Sequence, residues 1–270
     1  MPRTLPGQLF LHNLVEKRSL LAQLVRRDFE QRFVGSAAGW AWGLIHPLAQ
    51  LLAWTFLFDL VMHQQVPPGE ATRNYPLFLF AGMLPWFLFS DTVQRSASSI
   101  VEQANLITKT VFPAEIVPLS VFLSSLVSHL LAVALLVACA GIFLNQISIF
   151  ILLLPLYILA TGLFAIGIGW IAASLHVFAR DTAQVLNVIL TFWFFATPIM
   201  LVESQYPPWA RAILAANPLT YLTHGYRDVL LSSRLPSIED LLIASACGAA
   251  AFLLGGLFFR HVKKGFADVL

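Results

Sequence analysis

The stretch SSIVEQANLITKTVFPAEIVP, Ser98 to Pro118, decides how this chain is read. It is a polar-tinged interruption between two strongly apolar runs. Its pattern predicts a short surface helix that ends at Phe112-Pro113, since a proline drives the residue before it out of the helical region. Glu102, Asn105 and Lys109 are spaced by three and four, which would place them on one helical face. That face is the candidate docking surface for a soluble partner, and a plain solvated turn is the alternative.

The flanking runs set the class. Of 270 residues, 58% are hydrophobic and 11% charged, and the mean hydropathy is +0.78. Soluble domains carry about 25% charged residues. About 20 apolar residues cross a bilayer as a helix. By that rule the chain has six spans, at 37–62, 76–97, 115–144, 149–177, 183–202 and 237–260. The fold expected is an all-α membrane protein. It comprises a tail and amphipathic helix in 1–36 and a six-span domain in 37–270, the latter holding the 98–118 cytoplasmic loop and an outer segment, 203–236. Pro85 should break the second span, which then turns polar, with Asp91 and Arg95 four apart and able to pair.

Lys and Arg set the orientation. With the N-terminus inside, the inner segments hold Arg3, Lys17, Arg18, Arg26, Arg27, Arg32, Arg95, Lys109, Arg180, Arg260, Lys263 and Lys264. The outer ones hold Arg73, Arg211, Arg227 and Arg234, so both termini are expected in the cytoplasm. Ahead of the first span, Leu14, Leu21, Leu24, Val25 and Phe29 recur at helical spacing between basic residues. That pattern suits a helix lying in the headgroup plane, favoured over a solvated helix because a span follows at once.

The outer segment 203–236 is too apolar for a free loop and too interrupted for a span. Short helices are expected from Pro208 to Ala215 and from Pro218 to Leu231, the second capped by Asn217 with Pro218 in its first turn. Two readings stand: a re-entrant hairpin forming an outer gate, or two helices flat on the outer surface. Small residues at every fourth position, Thr161/Ala165/Gly169/Ala173 and Cys247/Ala251/Gly255, mark close helix packing.

Several chemistries are excluded. A net charge of +2 gives no reason to expect nucleic acid. No phosphate-binding loop, zinc-protease helix or nucleophile elbow is present, and Cys139 and Cys247 lie in apolar runs. Residues 1–19 do not read as a cleavable signal peptide. His129, beside Ser124, Ser125 and Ser128, is the ionisable group deepest in a span. It is either functional or a hydrogen-bonding link between helices. Without catalytic or ion-coupling groups, any energy must come from another subunit.

The chain resembles the membrane subunits of bacterial ABC exporters for lipid-linked polysaccharides, the O-antigen, capsule and teichoic-acid exporters. The resemblance is carried, in order, by Arg27-Asp28…Arg32-Phe33-x-Gly35-Ser36…Gly39…Trp42 with Pro47, and by Ala81-Gly82-x-x-Pro85-Trp86-x-x-Phe89. Asn105-Leu106-Ile107-x-Lys109-x-x-Phe112-Pro113-x-Glu115-Ile116-x-Pro118 follows, and then Arg180-Asp181, Thr197-Pro198, Asn217-Pro218, Tyr226-Arg227-Asp228 and Phe266-Ala267-Asp268. Ala38 and Ala114 depart from it, where a larger aliphatic and a basic residue are usual.

The resemblance implies an inner-membrane export permease of O-antigen-type polymer, with capsule or teichoic-acid polymer, a small lipid or a drug as alternative cargo. It implies a homodimer with a channel between the copies, and two ATPase subunits that carry the ATP and Mg, this chain holding no cofactor. The cargo would be an undecaprenyl-type lipid-linked polymer. Glu102, Asn105, Lys109 and Phe112 would couple to the ATPase, and Arg27 and Arg32 of the interfacial helix would guide the anionic lipid pyrophosphate, with plain lipid-headgroup binding as the alternative. Among 22 Phe, 7 Trp and 5 Tyr, Trp42, Trp54, Phe192 and Phe195 are candidate channel walls, with Trp40, Trp193 and Phe194 beside them. Lipid-facing packing is the alternative for each. Asn217, Pro218, Tyr226 and Arg227 belong to the outer gate.

Overall fold

The computed structural model describes residues 17–32, 36–37, 39–109, 113–145 and 147–269, without the side chains of residues 40, 108, 109, 267 and 268. Leu14, Phe33, Ala38 and Phe112 lie outside the described residues, as do the side chains of Trp40 and Lys109. Five helices are long and apolar enough to cross a membrane: Trp42–Val61, Tyr75–Glu102, Ile116–Leu144, Ile149–Phe178 and Ile238–Gly265.

Helix α1, Arg18–Gln31, buries Leu24 and leaves Arg18, Arg26 and Arg27 exposed. The first span is α2, Trp42–Trp54, continued by π-helical turns from Thr55 to Val61. It is loosely packed: Leu52, Phe56 and Leu60 are each more than 60% exposed. Helix α3, Tyr75–Glu102, is the mast of the molecule. Asn74 caps it by accepting from Leu77 N at 3.1 Å. Its 28 residues make about 42 Å of helix, well beyond a hydrocarbon core of about 30 Å. Pro85 does not break it, because neighbouring helices enclose the turn whose hydrogen bond is lost. Phe78, Leu79, Phe80, Ala81, Phe89 and Val93 are all essentially inaccessible.

A turn at Gln103 ends α3, and a six-residue helix, α4 (Ala104–Lys109), follows. The third span is α5, Ile116–Leu144, and the fourth is α6, Leu154–Phe178, entered through a 3₁₀ turn capped by Ser148. The fifth apolar helix, α7, runs only from Thr182 to Phe195. At about 21 Å it is shorter than the expected 183–202, and the end of that helix is corrected to Phe195. It stops because Thr197-Pro198 cannot continue it and because Asn217 holds the turn. Helices α8 (Pro208–Ala216) and α9 (Pro218–Leu231) come next, then α10 (Ile238–Val262) and a last turn, α11 (Phe266–Val269).

Helix α9 is no surface helix. Leu219, Leu222, Tyr226, Arg227, Val229 and Leu230 are all buried, against α3, α6 and α10. A helix lying flat would expose one whole side, which α9 does not; α8 buries only Ala210 and Leu214 and leaves Trp209 and Ile213 exposed. The small-residue stripes meet different partners. Gly169 faces Ser96 of α3, whereas Gly167 touches Ala251 of α10 and Gly255 touches Gly167.

Candidate functional site

Helices α2, α3, α5 and α7 enclose a cavity of about 730 Å³. Because α2 packs loosely and α7 is short, the four do not close on one another. Trp42, Trp86, Phe87, Phe194 and Phe195 give the wall aromatic faces. Trp86 and Phe194 meet edge to face at 5.5 Å. Polar groups lie between them: His46 and Gln50 on α2, Gln94 on α3, Ser128 on α5, Asn187 and Thr191 on α7. Such a wall offers flat apolar faces beside hydrogen-bond donors and acceptors.

Four charges frame one end of the cavity. Arg32 Nη2 donates to Asp91 Oδ2 at 2.9 Å and to Ser125 Oγ at 3.0 Å. Ser125 in turn donates to Asp91 at 2.6 Å. Arg95 Nη2 donates to Asp28 Oδ1 at 2.5 Å, and its Nη1 lies 3.7 Å from Asp91 Oδ2. The expected Asp91–Arg95 pairing within α3 is present, yet each has a closer partner at the end of α1. Two arginines and two aspartates thus tie α1 to α3 and α5. This places Arg32 otherwise than the sequence suggests. It turns inward, 19% exposed, and its charge is committed to Asp91 rather than offered to headgroups. Arg27 is exposed beside a small notch shared with Ser98 and Glu102.

The other candidates divide. Trp42 and Phe195 line the cavity. Trp54 does not; it stacks on Phe58 at 5.5 Å. Phe192, 73% exposed, points away from the wall. Glu102 and Asn105 are both exposed, but the turn at Gln103 puts them on separate helices, so one continuous face from 102 to 109 is corrected. Across from this region Lys263 pairs with Glu115, whose carbonyl accepts from Trp170 Nε1 at 3.1 Å.

At the other end sits a buried polar hub. Asn217 accepts from Leu219 N at 3.1 Å and from Trp193 Nε1 at 3.0 Å, and its amide donates to Ala196 O and Thr197 Oγ1. Pro218 opens α9 behind it. Tyr226 OH and His129 Nε2 share a hydrogen bond at 3.0 Å, so His129 both borders the cavity and links α5 to α9. Arg227, 3% exposed, donates to Phe78 O at 3.2 Å and Ile199 O at 2.6 Å. Its guanidinium also sits 3.6 Å from the Phe78 ring centroid. Tyr226 and Arg227 are thus both buried and held by hydrogen bonds to neighbouring helices and turns.

Sequence reasoning missed Asp28, His46, Gln50, Asn187 and Thr191. A signal existed for four of them. His46/Gln50 and Asn187/Thr191 are polar pairs four apart on otherwise apolar helices, which puts each pair on one face.

A profile of the ABC-2 type transporter family matches residues 19–231. The chain is 31% identical over 260 residues to an O-antigen export system permease protein of Myxococcus xanthus, covering 96% of this chain and 98% of that one. A Klebsiella pneumoniae protein of the same description is 28% identical over the same shares. A polysialic acid transport protein of Escherichia coli is 26% identical over 77% of this chain and 80% of its own. The segments that build the cavity wall and the ionic frame all fall inside the matched residues, and the chain belongs to the ABC-2 type transporter family.

Proposed function

We propose that this chain is the membrane subunit of an ATP-driven exporter that carries O-antigen-type, lipid-linked polysaccharide across the inner membrane toward lipopolysaccharide. The observation that carries this reading is the cavity wall. Aromatic faces suit the C–H surfaces of sugars, while the amides and hydroxyls of Gln50, Asn187 and Thr191 suit their hydroxyls without gripping one unit tightly. The names of the relatives support the same cargo.

On this reading the cavity is half of a passage, completed by a second copy against α2 and α7. Exposed apolar residues on both helices, Leu52 and Phe56 with Val188 and Phe192, fit a surface that meets lipid or another copy. Two ATPase subunits bind ATP and Mg and push on the exposed region around Glu102 and Asn105, with both termini in the cytoplasm. Because α3 is unbroken from Tyr75 to Glu102, a displacement at its lower end is carried rigidly to Trp86 and Phe87 in the wall. The undecaprenyl-type lipid would enter from the inner leaflet.

A knockout tests this. Cells lacking the chain should accumulate the lipid-linked polymer inside, wild type should restore export, and Thr191→Trp, which narrows the cavity, should not. Normal export by a membrane-inserted Thr191→Trp variant would contradict the passage. The polysialic acid relative favours a second reading, a capsular polymer on the same path; the polymer that accumulates separates the two.

A further inference from the structure

We propose that α1 and the third span, α5, form a groove for one anionic phospholipid of the leaflet in which α1 lies. Arg18, Leu21, Ala22, Val25, Arg26 and Phe29 recur every three or four residues, so they form one stripe along α1. This stripe faces Leu123 and Val127 of α5 across a groove of about 490 Å³. That is within the usual range of ligand pockets, about 300–1,000 Å³. Behind the stripe, Leu24 is buried and Asp28 and Arg32 are tied into the ionic frame. The helix is thus pinned on one side and open on the other.

Three observations select the occupant. The groove is apolar except for its two arginines, so it fits a chain with a charged head and no peptide. Beyond Val127 the same face of α5 continues as exposed Leu130 and Ala134, an apolar track for an acyl chain leaving the groove. The rim is cationic. Arg18 is exposed and pairs with no carboxylate among the described residues, while Arg26 shares its charge with Glu30 at 2.8 Å. A guanidinium matches a phosphate in charge and hydrogen-bond geometry, and a headgroup without a compensating ammonium keeps that attraction. A second copy would set like charges against each other. A soluble subunit would find an apolar trough continuous with a span. A phospholipid meets neither objection, and seated there it would brace α1, whose far side carries the frame beneath the cavity.

The test uses the full chain purified in mild detergent, supplied with equal phosphatidylglycerol and phosphatidylcholine and examined by native mass spectrometry. Wild type should retain one phosphatidylglycerol per chain in about fivefold preference, as one surface cation near a phosphate provides. Arg18→Gln should remove most of that preference, and Ala22→Trp should lower retention of both lipids. Lys17→Gln, which removes charge outside the groove, should leave retention unchanged. Equal retention by wild type, R18Q and A22W would overturn the site. So would an equal loss in K17Q, which marks diffuse surface attraction, or a lipid-free dimer that A22W dissociates. None of these readouts depends on which polymer is exported.

Discussion

Arg227 shows how much of this molecule hangs on single buried groups. Its guanidinium satisfies two backbone carbonyls, one before Pro85 on α3 and one in the turn after α7, and covers the Phe78 ring. Replacement by Met leaves the Ile199 carbonyl without its partner, at about 1–3 kcal/mol, and removes a second donor and the ring contact from Phe78. Arg227→Met should therefore melt several degrees lower in detergent, and Arg227→Lys should fall between it and wild type. An unchanged melting curve for Arg227→Met would refute this role. Gly82→Ala should be milder, because the new Cβ, 2.7 Å from Nη2, meets the far end of a flexible side chain. Little of this was legible in the sequence. Arg227 reads there as one of four outer cations, because its acceptors are main-chain atoms 149 and 28 residues away and leave no side-chain signature. Asn217 was legible, since an Asn-Pro pair opening an apolar run is a capping signal in itself.

At the scale of elements, two junctions carry the load. The crossing of α6 and α10 is backbone on backbone: a Cβ at Gly255 would sit 2.1 Å from Gly167 O. Gly255→Leu should abolish a monodisperse protein on size exclusion, since overpacking of about 1–3 kcal/mol is a floor when the obstacle is main chain. Gly256→Ala, which meets only the Trp170 ring edge at 3.2 Å, should be tolerated. The second junction is the ionic frame. A double-mutant cycle on Arg32→Gln and Asp91→Asn, read by thermal melting, should give a coupling of about 1 kcal/mol, modest because the pair is partly hydrated. Additive effects would mean that the pair does not act as one. The sequence announced close packing through its small-residue stripes but not the partners, because a stripe records that a neighbour approaches and not which neighbour. It paired Asp91 with Arg95 by spacing and missed Asp28, whose partner lies 67 residues away.

At the scale of the whole molecule, hydropathy alone carried most of the architecture, since length and apolarity are what a bilayer demands. It failed at the fifth span and at Pro85. At Pro85 the enclosing helices let the helix continue, whereas Thr197-Pro198 and the Asn217 contacts end the fifth one early. Which aromatics form the wall was equally hidden, because Phe192 and Phe195 are nearly equivalent in sequence and differ only in the direction they face. That difference supplies the most direct test of the claim that the four-helix cavity is the passage. A photo-crosslinking residue should be placed singly at Trp42, Phe192 and Phe195 in cells making the polymer. Covalent capture of lipid-linked polysaccharide at 42 and 195, with none at 192, is the expected result; capture at 192 with none at 42 and 195 would contradict it.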